Sequence, residues 1–135
     1  MITANAVPYA NFMHLEIIFP DKKQHELKTV ANLQEANRLI YFLNRKYILS
    51  KLTSWLKQRR FALQSSPDNG RTLEAAKLIV LLHYYENAGL HVLCQFIINH
   101  KTIIETVAPG NHSSQYNHYK NIIQPILVFC HKMSE

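Results

Sequence analysis

No acidic residue occurs between Glu35 and Asp68, and the same 32 residues hold seven basic ones. These are Arg38, Arg45, Lys46, Lys51, Lys57, Arg59 and Arg60. Fifteen Lys/Arg less these seven leaves eight, against nine Asp/Glu, so the rest of the chain carries a net −1. The formal charge of +6 is therefore a property of one segment. A one-signed segment of this kind suits an acidic protein face, nucleic acid or an anionic membrane surface.

Glycine is scarce, with three residues in 135. Multi-stranded β folds spend glycine on turns and bulges, so its scarcity favours helices. Two cysteines, Cys94 and Cys130, are too few for a disulfide framework. They read as reduced and buried, which fits an intracellular protein. Residues 1–13 have no Lys or Arg and no long apolar run, which argues against a cleaved secretory signal. Nowhere do eighteen apolar residues run together, so no membrane span is expected. The expected setting is the cytoplasm, without excluding delivery into another cell.

A length of 135 residues fits a single domain, 1–135, and 47% hydrophobic content supports a packed core without a metal or disulfide. Residues 1–13 read as a loosely ordered lead interrupted by Pro8. Over residues 14–30, Leu15, Ile17 and Phe19 alternate with His14, Glu16 and Ile18. Pro20-Asp21 supplies a turn, and a weaker extended run passes through Leu27, Thr29 and Val30. The pattern predicts a β-hairpin. Lys22, Lys23 and Lys28 read as charges that protect its edge.

Residues 32–133 read as helices. Asn32 followed by Glu35 is a capping-box signature. Leu33, Ala36, Ile40, Leu43 and Tyr47 then form one apolar stripe. Ile48, Leu52 and Trp55 fall about a quarter-turn away at 100° per residue, so the helix bends near Ser50 or two helices meet there. Residues 65–70 carry loop signals. Residues 71–88 predict a central, most buried helix with Leu73, Ala76, Ile79, Val80, His83 and Tyr84 on one side, ended by Gly89 in a left-handed conformation. A helix over 90–107 stops before Pro109-Gly110. The last helix begins near Ser113 and is kinked or split by Pro125. The fold class is mainly α: a compact bundle of four to six helices with a small N-terminal β-hairpin.

The basic segment is the main candidate site. On a helical wheel Arg38, Arg45, Lys46, Lys57 and Arg60 lie opposite the first apolar stripe. On one continuous helix they would extend about 30 Å at a rise of 1.5 Å per residue. Tyr41, Phe42, Tyr47, Trp55 and Phe61 lie in the same segment. Arginine beside aromatics suits protein recognition and also phosphate contact with base stacking. The plain alternative is a solvated basic face over core aromatics. The predicted contact residues are Arg38, Tyr41, Arg45, Lys46, Trp55, Lys57, Arg59 and Arg60. The expected partner is a protein with an acidic surface, and nucleic acid is the competing class.

No catalytic or metal constellation accompanies the basic segment. The eight histidines contain no HExxH, and neither they nor the cysteines form a recognisable ligand set. Cys130 sits beside His131 and Lys132, an electropositive place where preorganisation is hard, and the main nucleophile candidate is Cys94, with His91 three residues earlier. Its apolar neighbours Leu93, Phe96 and Ile97 would raise the thiol pKa rather than lower it. Asn69-Gly70-Arg71-Thr72 lacks the phosphate-loop pattern and reads as a turn with Thr72 as helix cap. The tyrosines at helix ends, Tyr84, Tyr85, Tyr116 and Tyr119, suit covering a core end with their hydroxyls in water. The expectation is a non-enzymatic adaptor or inhibitor with no cofactor.

Overall fold

The computed structural model describes residues 1–20, 25–65 and 69–135. The described chain is mainly helical with one small antiparallel sheet. It forms two compact units, Met1–Tyr47 and Ile48–Glu135.

The first unit opens with β1 (Thr3–Tyr9), β2 (Phe12–Ile18) and β3 (His25–Val30), ordered β1-β2-β3. The expected hairpin is the β2–β3 pair, registered Met13↔Val30 to Ile18↔His25. Its turn residue Asp21, with Lys22 and Lys23, lies outside the described residues. The expected alternation holds: Leu15 and Ile17 are buried, and Phe19 packs against the same core. Residues 1–13, however, are not a loose lead. They contain β1, joined to β2 by Ala10-Asn11 with Tyr9 opposite Phe12. Ala, Asn and Pro are weak strand formers, so β1 carries little local signal and depends on pairing. Pro8 is tolerated because β1 is an edge strand. Lys28 is exposed on the opposite edge strand, β3.

Helix α1 (Leu33–Gln64) starts as its cap signature predicts. The Glu35 N–H donates to Asn32 Oδ1 at 2.9 Å, and the Ala31 N–H donates to Glu35 Oε2 at 2.9 Å. These bonds occupy donors that the helix start leaves unpaired. Ala36 joins Ile2, Leu15, Ile17 and Val30 in the core of this unit, with Leu39, Ile40, Leu43 and Tyr47 packed on it. Leu33, expected in the stripe, is instead 58% exposed and lines a surface depression rather than the core. Asn44 is buried and pairs with the backbone of Ile2. The Ile2 N–H donates to Asn44 Oδ1 at 3.0 Å, and Asn44 Nδ2 donates to the Ile2 carbonyl at 3.1 Å.

The change of stripe after Tyr47 does not end the helix; α1 is one element through Gln64. It coincides with the boundary between the two units. In the second unit the buried side of α1 carries Ile48, Leu52, Trp55, Leu56, Arg59 and Leu63. The connection through Ser66, Pro67 and Asp68 lies outside the described residues.

Helix α2 (Asn69–His83) buries Ala75, Leu78 and Leu82, while Leu73, Val80 and Leu81 are exposed. It is neither the most buried helix nor turned as expected. A sequence apolar on every side does not specify which side its neighbours cover. Because Asn69 is its first residue, Thr72 lies within the first turn and does not cap it. Gly89 does not end this helix in a left-handed conformation; it is extended at φ −65° and precedes α3 (Leu90–Asn99).

The predicted helix over 90–107 is interrupted at His100, which separates α3 from α4 (Lys101–Val107). Both the backbone N–H of His100 and its ring Nδ1 meet the Phe96 carbonyl, at 3.2 and 2.8 Å. Ala108 is extended, as the residue before a proline prefers. The last helical region is divided as Pro125 predicts. It runs α5 (Tyr116–His118), a π-helical turn over Tyr119–Ile123, then α6 (Gln124–Met133) with Pro125 in its first turn. Proline has no N–H to give, and the wider turn precedes the point where that bond is missing. In this unit α3 packs on α6, and α2 packs on α4.

Candidate functional site

Six of the eight predicted contact residues are on or near the surface of α1, and two are not. Arg38, Tyr41, Lys46, Lys57 and Arg60 are exposed, and Arg45 is partly so. Trp55 is 1% exposed and Arg59 6% exposed. Those two follow the second apolar stripe inward, where the helix needs large side chains to fill the core.

In the first unit, α1 presents a mixed basic and aromatic face. Arg45 Cζ lies 5.4 Å and Lys46 Nζ 5.5 Å from the centre of the Phe42 ring, within cation–π range. Phe42 is 44% exposed. One turn away, Leu33, Gln34, Asn37, Arg38 and Tyr41 line a shallow, mostly apolar depression of about 610 Å³. Sequence reasoning placed Phe42 near the site without assigning it a contact. Its position three and four residues before the two cations is the spacing that lets them meet on one helix face.

In the second unit, Arg59 serves the fold. Its Nε–H donates to the Val107 carbonyl at 2.7 Å and an Nη1–H to Gln115 Oε1 at 2.7 Å. Arg71 of α2 donates from Nε to the Thr106 carbonyl and from Nη2 to the Ala108 carbonyl, both at 2.8 Å. Two guanidinium groups thus collect three successive carbonyls at the C-terminus of α4. Cations and donors are favoured there because the last carbonyls lack partners within the helix. Burial holds the Arg59 pKa below its usual value, and the like charge of Arg71 lowers it further.

Beside this clamp is a cleft of about 540 Å³. Trp55, Lys57, Gln58 and Phe61 line it from α1; Ser114, Gln115 and His118 line it from the segment after α4. Trp55 stacks on Tyr119, with ring centroids 5.5 Å apart and planes 24° apart. The Trp55 indole N–H is buried and meets no hydrogen-bond acceptor among the described residues. Tyr119 is itself buried, which raises its phenol pKa against the opposing hydrogen bond from Gln124.

Cys94 and Cys130 are free, fully buried and in hydrogen-bond contact. The Cys130 S–H supports a thiolate on Cys94 and lowers its pKa, outweighing the burial that pushes it up. Cys130 is displaced upward by the same contact and by burial. The sequence expectation of a raised Cys94 pKa is therefore reversed by a residue 36 positions away. His91 is exposed while Cys94 is fully buried, so the two share no surface. Tyr85 stacks on Phe96 at 4.3 Å and Tyr119 is buried, whereas Tyr84 is 77% exposed.

Among the described residues, no group of His, Cys, Asp or Glu is arranged to hold a metal ion. No described helix is long and apolar enough to cross a membrane. No family model matches the chain, and neither a curated protein nor a solved structure matches it.

Proposed function

We infer that the protein is a non-enzymatic binding protein, an adaptor or inhibitor. It engages an acidic face of a partner protein, such as an enzyme whose site it blocks, through the exposed basic and aromatic residues of α1. The observation that carries this reading is Phe42, 44% exposed beneath the cations of Arg45 and Lys46. An exposed aromatic ring with arginine beside it is typical of binding hot spots. The acid-free stretch around it adds charge complementarity toward an acidic surface, which speeds encounter and rejects basic partners. The contact set in the first unit is Arg38, Tyr41, Phe42, Arg45 and Lys46. The free thiols Cys94 and Cys130 fit a reducing compartment such as the cytoplasm.

The test is a pull-down from lysate with and without nuclease, comparing the wild type with a triple variant, Arg38→Glu, Arg45→Glu and Lys46→Glu. The expected result is one protein recovered stoichiometrically by the wild type and lost by the variant, with equal helicity of the two baits. Undiminished recovery by the variant overturns the reading. Recovery that vanishes on nuclease treatment transfers the surface to nucleic acid. Its affinity should then fall linearly with salt on logarithmic axes, by about one unit per phosphate contact.

A further inference from the structure

The cleft beside Trp55 is lined by a buried indole N–H, a lysine and side-chain amides. The indole N–H of Trp55 is buried and unpartnered among the described residues, an unfavourable state unless an acceptor arrives. Gln115 is fixed in one sense: its Oε1 accepts from Arg59, which leaves its NH2 as a donor. Lys57 brings a positive charge and Ser114 a hydroxyl, and none of the described lining residues is acidic. Phe61, 77% exposed, and the Trp55 ring supply an apolar wall.

We propose that this cleft is a receptor for a carboxylate side chain in an acidic peptide segment of the partner, with an apolar neighbour seated against Phe61. The proposal rests on the reading of an acidic partner and names where one of its carboxylates goes. A carboxylate offers several lone pairs to the donors of the lining residues and a single charge to match Lys57. Phosphate is a poorer match, since doubly charged groups are held by arginine clusters. Here the Arg59 guanidinium already serves Val107 and Gln115. The Trp55 nitrogen is out of contact with solvent, so an incoming oxygen must displace a lining side chain. Phe61, at 77% exposed, is free to make that movement.

Trp55 is the only tryptophan, so its indole N–H gives one assigned peak in a 1H–15N spectrum of the whole protein. The probe is the blocked peptide acetyl-Leu-Glu-Leu-amide, with acetyl-Leu-Gln-Leu-amide and inorganic phosphate as comparisons. The expected result is a saturable downfield shift of that peak with the Glu peptide. The Gln peptide should bind at least about tenfold more weakly, because a charged acceptor is replaced by a neutral one. Lys57→Gln should weaken the Glu peptide several-fold without moving the free indole peak.

An indole peak that stays still at tens of millimolar Glu peptide overturns the proposal, as does an equal response to the Gln peptide. A tighter response to phosphate overturns the carboxylate assignment. The triple variant Arg38→Glu, Arg45→Glu and Lys46→Glu should keep the indole response. Undiminished partner capture by that variant and a still indole peak in the wild type are therefore separate failures.

Discussion

Arg59 donates its Nε–H to the Val107 carbonyl at 2.7 Å from a side chain that is only 6% exposed. One cation of the basic segment is thus turned inward to finish a neighbouring helix, while Arg60 beside it is exposed. The same residue type in adjacent positions has two roles, and only the helix phase distinguishes them.

Arg59→Met should therefore destabilise the fold. Methionine can fill much of the volume but donates nothing, leaving the Val107 carbonyl without its partner at a cost of about 1–3 kcal/mol. Arg59→Lys should fall between, since an ammonium lacks the planar fork that reaches Val107 and Gln115 together. Arg60→Met should stay within about 0.5 kcal/mol, as exposed substitutions usually do. Urea denaturation followed by circular dichroism gives all three values. Equal midpoints for the Arg59 and Arg60 variants would contradict the clamp.

Asn44 is the corresponding test in the first unit. Asn44→Ala removes both side-chain bonds to Ile2 and leaves a buried N–H and C=O to find new partners. The expected loss is about 1–3 kcal/mol, with faster amide exchange at Ile2 and along β1. Exchange in β1 unchanged from wild type would show that β1 does not depend on this contact.

The fold's local signals were legible where one residue type has one local meaning. Asn32 and Glu35 gave the start of α1, Leu15 and Ile17 the buried side of β2, and Pro125 the break before α6. What remained hidden depended on pairing at a distance. β1 has weak strand formers and is held by its register with β2 and by Asn44. The apolar face of α2 was ambiguous because apolar residues surround it. In the candidate site, Arg38, Tyr41, Lys46, Lys57 and Arg60 were placed on the surface correctly. Trp55 and Arg59 were not, although the second stripe, Ile48, Leu52 and Trp55, already pointed inward. Gln115 and His118 had no sequence signal, because the cleft exists only once the segment after α4 lies beside α1.

Alkaline pH should weaken the second unit, and Tyr119 supplies a way to test why. Burial raises the Tyr119 pKa in the folded state above its unfolded value of about 10. The folded protein therefore holds this proton more tightly than the unfolded chain. The stabilisation is fully present below about pH 10 and is lost as pH rises through the folded pKa. Cys130, also raised, acts in the same direction from about pH 8.5, the unfolded thiol value. Cys94, lowered by the Cys130 S–H, opposes them by adding stability above the ordinary thiol range. Tyr119→Phe keeps the ring that stacks on Trp55 and removes the ionisable phenol. Urea midpoints taken from pH 7 to pH 11 should decline for the wild type above about pH 9 and decline less for Tyr119→Phe. Parallel declines in the two proteins would assign the alkaline loss to groups other than Tyr119.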